Sequence, residues 1–151
     1  KNFTVPHRAK PVGKISSFFS MTYYWLDYVI GMPLLLRKNA QFNRITIFDR
    51  YVYDFLIDPE RTRLNLPYWV RQTFCNLVKR PKLVFILMAP AETIYARKKE
   101  LTLDEIKEQL KRLNTLAVSN KRVYCLDATR ETKEIAMDAL KVFLDIFASK
   151  L

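Results

Sequence analysis

The residues best suited to chemistry follow a short apolar run at 45–48, Ile-Thr-Ile-Phe, which ends in Asp49, Arg50 and Tyr51. A β-branched, apolar run of this length predicts a strand buried on both faces of a parallel sheet. Ligands of open α/β sheets bind outside the carboxyl ends of such strands. An arginine there can bind a phosphate through two hydrogen bonds, and an aspartate can orient a metal-bound water or an attacking hydroxyl. The same two residues could instead form a structural ion pair at the end of the strand.

The charge of the chain favours an anionic partner. Its 151 residues include 26 Lys and Arg against 15 Asp and Glu, which gives a net charge of +11. This excess suits a nucleotide, a nucleic acid or an acidic membrane surface, and it does not choose among them. Half of the residues are hydrophobic, so the length and composition predict one domain over residues 1–151 with a sizeable core.

Cysteine, histidine and glycine usage argues against several kinds of site. Cys75 and Cys125 are predicted to be buried thiols, in a helix and a strand, which indicates a reducing, cytoplasmic compartment. A single histidine argues against a histidine-dependent triad or metal site. Gly13 and Gly31 are the only glycines, so no glycine-rich phosphate loop is present. Because the first residue is also not Met, we expect a fragment of a longer chain.

The longest apolar stretch, residues 15–36, is predicted to be a buried core helix. Its length approaches that of a membrane span. Asp27 and Pro33 argue against a span, since a charge at mid-membrane costs about 3 kcal/mol. The tyrosines of this stretch are interpreted as a packed core stripe in preference to the lining of a pocket.

Downstream of the D-R-Y segment, helices and strands are predicted to alternate. The pattern predicts a helix over 66–79, a buried strand over 83–88, and a helix from 89–92 to 97–99. A helix capped by Thr102, a buried strand over 122–126 and a closing helix from Glu131 follow. This order favours a doubly wound parallel sheet.

Three stretches in this order resemble the thymidylate kinase-like branch of the nucleoside-monophosphate (P-loop) kinases. They are D-R-Y at 49–51, P-K-L-V-F-I-L-M-A-P-A-E at 81–92 with A-R-K-K-E at 96–100, and L-D-A-T at 126–129. The resemblance covers the larger, C-terminal part of a family member. It implies an α/β fold, a three-layer P-loop kinase-like parallel sheet with flanking helices, whose first strand and phosphate loop are absent from this chain.

The resemblance implies an acceptor side built on the D-R-Y segment. Asp49 would lie near the magnesium, through water, and Arg50 would hold the acceptor phosphate or the transferring group. Further acceptor-binding side chains would be Tyr51, Tyr53, Asp54 and Arg61. Arg61 belongs to a polar turn at 58–63, which could bind an anionic acceptor or pair within itself. Thymidylate kinases usually carry a serine where Asp54 stands, so its charge favours another acceptor, such as a sugar or glycan precursor.

The resemblance also implies a donor side. Arg97 and Lys98 would belong to a lid that closes over the ATP phosphates, and Ala128 and Thr129 would lie near the adenine. Arg97 and Lys98 could instead be a solvated helix end, which favours cations in any protein. The segment at 126–129 could likewise be a plain strand-to-helix turn.

The function implied by the resemblance is an ATP- and magnesium-dependent phosphotransferase acting on a nucleotide or another small anionic or hydroxyl-bearing acceptor. Asp49, Arg50 and Arg97 would be its catalytic residues. Alternatives are thymidylate kinase itself and a catalytically inactive, kinase-like binding module; a membrane-surface role is the least favoured. Neither a nucleic-acid partner nor a stable membrane span is expected. Because the phosphate loop is absent, the chain alone is expected to be inactive. Buried strand edges need partners, so the chain could also associate as a homodimer.

Overall fold

The computed structural model describes residues 12–42, 44–97 and 99–148. The chain divides between Arg80 and Pro81 into two compact units. In the described residues, unit 1 contains helices and irregular segments, and unit 2 contains helices and two strands. The single domain predicted over residues 1–151 stays a prediction. No helix of the described part is long and apolar enough to cross a membrane.

Unit 1 begins with a continuous helical run, which confirms a helix over residues 15–36. The burial predicted for it is wrong in part, because only one side of the run packs against the core: Ile15, Phe19 and Tyr23 are 77%, 69% and 71% exposed. A one-turn π-helix interrupts the run and ends two residues before Pro33, whose missing N–H cannot donate an α-helical hydrogen bond. The elements are α1 (Lys14–Leu26), the π-turn (Asp27–Gly31), α2 (Met32–Gln41), α3 (Asp54–Ile57) and α4 (Tyr68–Asn76).

The core of unit 1 forms where α1, α3 and α4 meet the loops between them. Its buried members are Met21, Val52, Phe55, Leu64, Cys75 and Val78. Ser17 is the buried polar residue beside this core. Its hydroxyl donates to the carbonyl of Val12 at 3.3 Å and accepts from the N–H of Asn65 at 2.9 Å. These two bonds satisfy the hydroxyl, as burial requires.

Unit 2 is built on two adjacent parallel strands, which confirms the predicted α/β class and parallel pairing. Its elements are β1 (Val84–Met88), α5 (Ala91–Arg97), α6 (Leu103–Ser119), β2 (Val123–Asp127) and α7 (Thr132–Ala148). The register sets Val84 opposite Val123 and Met88 opposite Asp127. The loops after the two strands therefore leave the same edge of the sheet. The full three-layer kinase sheet stays a prediction.

The predicted cap of α6 is confirmed. The hydroxyl of Thr102 accepts from the N–H of Glu105 at 3.3 Å, and the Glu105 carboxylate accepts from the N–H of Thr102 at 2.6 Å. This capping box satisfies two N–H groups that would otherwise lack partners at the start of the helix.

The strand predicted over residues 45–48 is wrong. The segment is irregular, and the side chains of Ile45 and Ile47 are 66% and 88% exposed. The sheet of the described residues contains β1 and β2 alone. Apolar, β-branched side chains favour a strand only where neighbouring strands bond its backbone and packed helices cover its faces, and sequence alone does not supply those neighbours.

The burial predicted for unit 2 is also too high. Leu87 in β1 is 58% exposed, and Cys125 in β2 is exposed, contrary to the buried thiol predicted there. On α7, the apolar side chains of Leu140 and Leu144 are about half exposed. A sheet of two strands presents narrow faces, and the helices of unit 2 leave part of them uncovered, so some apolar residues remain in contact with solvent.

Candidate functional site

The D-R-Y segment forms a turn that leads into α3. Arg50 has a φ of 73°, in the left-handed region that non-glycine residues rarely adopt. Its guanidinium Nη1 lies 2.8 Å from Oδ2 of Asp54, the first residue of α3. Asp49 is exposed beside it. Strained backbone of this kind costs about 1–3 kcal/mol and is concentrated at functional sites.

The Arg50–Asp54 pair sets the electrostatics of this turn. The hydrogen bond that Arg50 donates to the Asp54 carboxylate raises the pKa of the Arg50 guanidinium, against a smaller opposing effect of burial. The two side chains are 49% and 27% exposed. Solvent-exposed pairs of this i,i+4 kind contribute only about 0.3–0.5 kcal/mol. An anionic ligand that binds Arg50 with two hydrogen bonds can therefore displace Asp54.

Aromatic rings surround Tyr51 next to this pair. The ring centroids of Tyr28, Phe48 and Tyr53 lie 5.3, 5.7 and 6.0 Å from that of Tyr51. The Tyr51 hydroxyl donates to the carbonyl of Lys79 at 2.5 Å, and burial raises its pKa to about 12. Tyr51 is therefore a protonated side chain that packs among rings and donates to a backbone carbonyl, and its predicted contact with an acceptor stays a prediction.

Tyr28 is a candidate site residue that the sequence analysis left among the packed core. It lies in the π-turn and packs edge-on against both Tyr51 and Phe55, at 5.3 and 6.2 Å. Burial, and then the charge of Asp54, raise its pKa. The tyrosine-rich stretch is the one sequence signal that could have indicated a site residue here. Helical spacing alone does not identify which of its tyrosines faces the D-R-Y turn.

The turn at 58–63 supports the interpretation that it bonds within itself. Oδ1 of Asp58 accepts from the backbone N–H of Arg61 at 3.4 Å. Arg63 has a φ of 58°, and its N–H donates to the carbonyl of Glu60 at 3.0 Å. The Arg61 residue is exposed. Its predicted binding of an anionic acceptor stays a prediction.

On the donor side, unit 2 brings together two of the predicted segments. Arg97, the last residue of α5, donates from Nη1 to the carbonyl oxygen of Ala128 at 2.8 Å. The parallel register makes this contact possible, because the loops that follow Met88 and Asp127 leave the sheet side by side. Lys98 lies outside the described residues.

Internal hydrogen bonds already occupy much of the loop after β2. Oδ1 of Asp127 accepts from the N–H of Thr129 at 2.9 Å and from its hydroxyl at 2.7 Å. Both bonds lower the pKa of Asp127, and the bond from the Thr129 hydroxyl has the larger effect. The N–H of Ala128 donates to Met88 at 2.8 Å. A purine here would pack on the Ala128 side chain or use the second lone pair of its carbonyl. The Asp127–Thr129 bonds agree with a plain strand-to-helix turn at 126–129. The predicted contact of Ala128 and Thr129 with adenine stays a prediction.

The described residues offer few side chains that could bind magnesium directly. No cluster of three or more His, Cys, Asp or Glu that could hold a metal occurs within residues 12–42, 44–97 and 99–148. Mg²⁺ bound with nucleotides commonly uses one or two carboxylates and keeps several waters. An exposed Asp49 acting through water fits that mode, and an all-protein cage does not fit the described residues.

Comparisons with known proteins give no match: no family model, no curated protein and no solved structure is similar to this chain. A kinase assignment therefore depends on the motifs and on the contacts just described.

Proposed function

We propose that this chain is the acceptor- and lid-bearing part of an ATP- and magnesium-dependent phosphotransferase of the thymidylate kinase-like group. The observation that carries the proposal is the hydrogen bond from Arg97 to Ala128. The two residues are 31 positions apart in the chain, and the motifs assign both of them to the donor nucleotide. Their contact lies at the carboxyl ends of parallel strands, where α/β proteins bind ligands.

Arg97 acts on the donor side as the cation of a lid. At rest its guanidinium bonds a neutral carbonyl. A phosphate oxygen is the stronger acceptor for the same N–H groups, because charge-assisted bonds are roughly twice as strong as neutral ones. Arg97 therefore exchanges Ala128 for the ATP phosphates when the lid closes, with Lys98 as the predicted second cation.

Arg50 and Asp49 act on the acceptor side. Phosphoryl transfer depends mainly on positioning and on positive charge around the transferring oxygens. Arg50 supplies that charge from a turn in the left-handed region of the backbone, where its guanidinium pairs with Asp54. Asp49 orients the acceptor hydroxyl or a water of the magnesium. When bound, magnesium neutralises part of the phosphate charge.

The negative charge of Asp54 favours a hydroxyl-bearing acceptor, such as a sugar or glycan precursor, and disfavours thymidylate. Its carboxylate occupies Arg50 at 2.8 Å and adds negative charge beside any acceptor phosphate. The ring cluster around Tyr51 offers an apolar wall to the same acceptor. The Arg50–Asp54 pair is weak enough to open for the transferring phosphoryl group.

The donor's triphosphate needs a cradle that these 151 residues do not supply. Backbone N–H groups of a glycine-rich loop and its lysine normally bind it, and the chain has two isolated glycines. The isolated chain is therefore expected to bind ATP weakly and to be inactive. Isothermal titration of ATP and magnesium into the chain measures this, and micromolar binding would contradict the assignment of these residues to the acceptor and lid.

The proposal is tested with the protein translated from the complete reading frame. ADP formation from ATP and magnesium is followed with sugars, sugar phosphates and nucleoside monophosphates as acceptors, and the phosphorylated product is identified by mass spectrometry. We expect acceptor-dependent ADP formation, highest with a hydroxyl acceptor. Acceptor binding without any ADP would instead support an inactive binding module.

A further inference from the structure

The side chain of Arg71, within α4, joins three parts of unit 1. Its Nη1 donates to the carbonyl of Phe55 in α3 at 2.6 Å, and its Nε donates to the carbonyl of Leu66, in the loop before α4, at 3.1 Å. The guanidinium carbon lies 5.8 Å from the centre of the Tyr68 ring. Because the last carbonyls of a helix lack donors within that helix, the bond to Phe55 supplies α3 with a donor from another helix.

Two further bonds join the D-R-Y segment to the same stretch of chain. The thiol of Cys75 donates to the carbonyl of Val52 at 3.3 Å, and the hydroxyl of Tyr51 donates to the carbonyl of Lys79 at 2.5 Å. Cys75 follows Arg71 by four residues on α4, so these two side chains share one face of the helix. Strained backbone persists only where its surroundings over-determine it, and the three bonds do so for the turn before α3.

We propose that Arg71 is a positioning residue: the two bonds of its guanidinium hold α3 where Asp54 pairs with Arg50. Asp54 is the first residue of α3 and directly precedes Phe55, whose carbonyl Arg71 binds. The Phe55 side chain is buried, and its ring lies 6.2 Å from that of Tyr28. With its ring packed and its carbonyl bonded, Phe55 fixes the direction of α3. The role of Arg71 at the acceptor site rests on the proposed function, in which Asp54 sets the preference for the acceptor.

The chemistry of the bonds makes Arg71 the main support of α3. A charged donor forms hydrogen bonds roughly twice as strong as those of a neutral donor, whereas the thiol of Cys75 is a weak donor. The pair of Arg50 and Asp54 is too weak to hold α3 by itself, because solvent-exposed pairs of this kind contribute little. The geometry of that pair therefore depends on the backbone that Arg71 bonds.

The first part of the test measures amide hydrogen exchange in the complete protein by mass spectrometry. Within α3, the N–H of Asp58 donates to the carbonyl of Asp54 at 2.8 Å. Arg71→Met keeps an unbranched stem and removes both guanidinium bonds, so exchange over residues 54–58 should become about tenfold faster or more. Gln72→Met is the matched control, because Gln72 is exposed on the same helix; it should leave exchange unchanged. Wild-type exchange in the Arg71→Met protein, or equal acceleration by both variants, would overturn the proposal.

Exchange in α1 shows whether unit 1 of the variant stays folded. If Arg71→Met accelerates exchange there as well, Arg71→Lys takes its place, because lysine keeps a cation and a donor but lacks the rigid fork that bonds two carbonyls. We then expect faster exchange confined to α3. Exchange of α3 at the wild-type rate in the Arg71→Lys protein would overturn the proposal.

The second part measures acceptor preference, as kcat/KM for a sugar divided by kcat/KM for a nucleoside monophosphate. Arg71→Met should lower this ratio several-fold, because Asp54 no longer stays beside Arg50, and should not lower it further in an Asp54→Asn background. A residue with a purely structural role would reduce both values equally, and an unchanged ratio would overturn the role of Arg71 at the acceptor site. If the wild-type protein forms no ADP with any acceptor, the proposed function fails instead, and the exchange of α3 still decides whether Arg71 holds that helix.

Discussion

The guanidinium of Arg97 donates a 2.8 Å hydrogen bond to the carbonyl oxygen of Ala128. This bond joins the last turn of α5 to the loop after β2, within unit 2. Arg97 is exposed, so the bond can open without repacking a core. Under the proposed function it holds a lid residue in place until donor phosphates replace the carbonyl.

Substituting Arg97→Met should separate binding from stability. Methionine keeps an unbranched apolar stem and removes the charge, so we expect the KM for ATP of the complete protein to rise tenfold or more, as for a lost charged contact worth about 1.5–3 kcal/mol. The unfolding free energy should change by less than about 1 kcal/mol, because the lost bond is exposed. Kinetics and urea denaturation measure the two effects.

Arg112→Met is the control for Arg97→Met. Arg112 lies on α6 in the same unit and pairs with Glu108 at 3.4 Å. Its substitution should leave the KM unchanged. Equal effects of the two variants on the KM would show that Arg97 acts through general charge and not through the lid.

Asp54→Asn tests the preference for the acceptor. The substitution removes the negative charge that pairs with Arg50, so phosphorylated acceptors should gain affinity, with a KM several-fold lower, while hydroxyl acceptors change little. Asp27→Asn removes a charge from the same unit without touching this pair and is the control. A phosphorylated acceptor that binds the Asp54→Asn variant no better than wild type would contradict the role given to Asp54.

Thr102→Ala should destabilise unit 2 through its capping box. The hydroxyl accepts from the N–H of Glu105, and removing such a cap typically costs about 1 kcal/mol. Thr115→Ala in the same helix is the control, because that exposed hydroxyl only bonds the carbonyl of Lys111 four residues back; it should be neutral or slightly stabilising. Urea unfolding midpoints compare the two, and equal midpoints would be incompatible with the cap.

Alkaline pH should destabilise unit 1 through Cys75. Burial raises the pKa of this thiol from 9.0 to about 12. The folded state therefore keeps a proton that the unfolded chain releases, so the stabilisation is complete below pH 9 and is lost as pH rises towards 12. Tyr51 adds to the loss from pH 10, since its pKa is raised from 10.0 to about 12.

The Cys75→Ala variant isolates the thiol's share of this alkaline loss. Its unfolding free energy should start lower, because a buried group is removed, and should then decline less steeply between pH 9 and pH 11 than that of wild type. Urea titrations at several pH values give both slopes. Parallel slopes would mean that Cys75 does not titrate differently in the folded and unfolded states.

Local signals in the sequence predicted much of the secondary structure. The Thr102 cap, with Glu105 three residues later, identified the start of α6, and the apolar run before Ala89 identified β1. The parallel pairing followed from the alternation of strand and helix. These features depend on neighbours in the chain, which the sequence displays directly.

The features that the sequence predicted wrongly or did not specify depend on partners distant in the chain. Residues 45–48 have the composition of a buried strand, but no strand of the described residues pairs with them. The Arg97–Ala128 bond depends on the register of β1 against β2, which composition does not specify. The choice of Tyr28 as the ring beside Tyr51 likewise depends on how the π-turn rotates the helix.

The most direct test of the account is phosphotransfer by the complete protein with Arg50→Ala, compared with Arg44→Ala as a control. Arg44 is exposed in the same unit and stacks on Phe42 at 5.2 Å, outside the D-R-Y turn. Removing one donor of charge stabilisation typically lowers kcat about a hundredfold or more. The account predicts that loss for Arg50→Ala alone, with both variants folded. Normal turnover by the Arg50→Ala protein would contradict it.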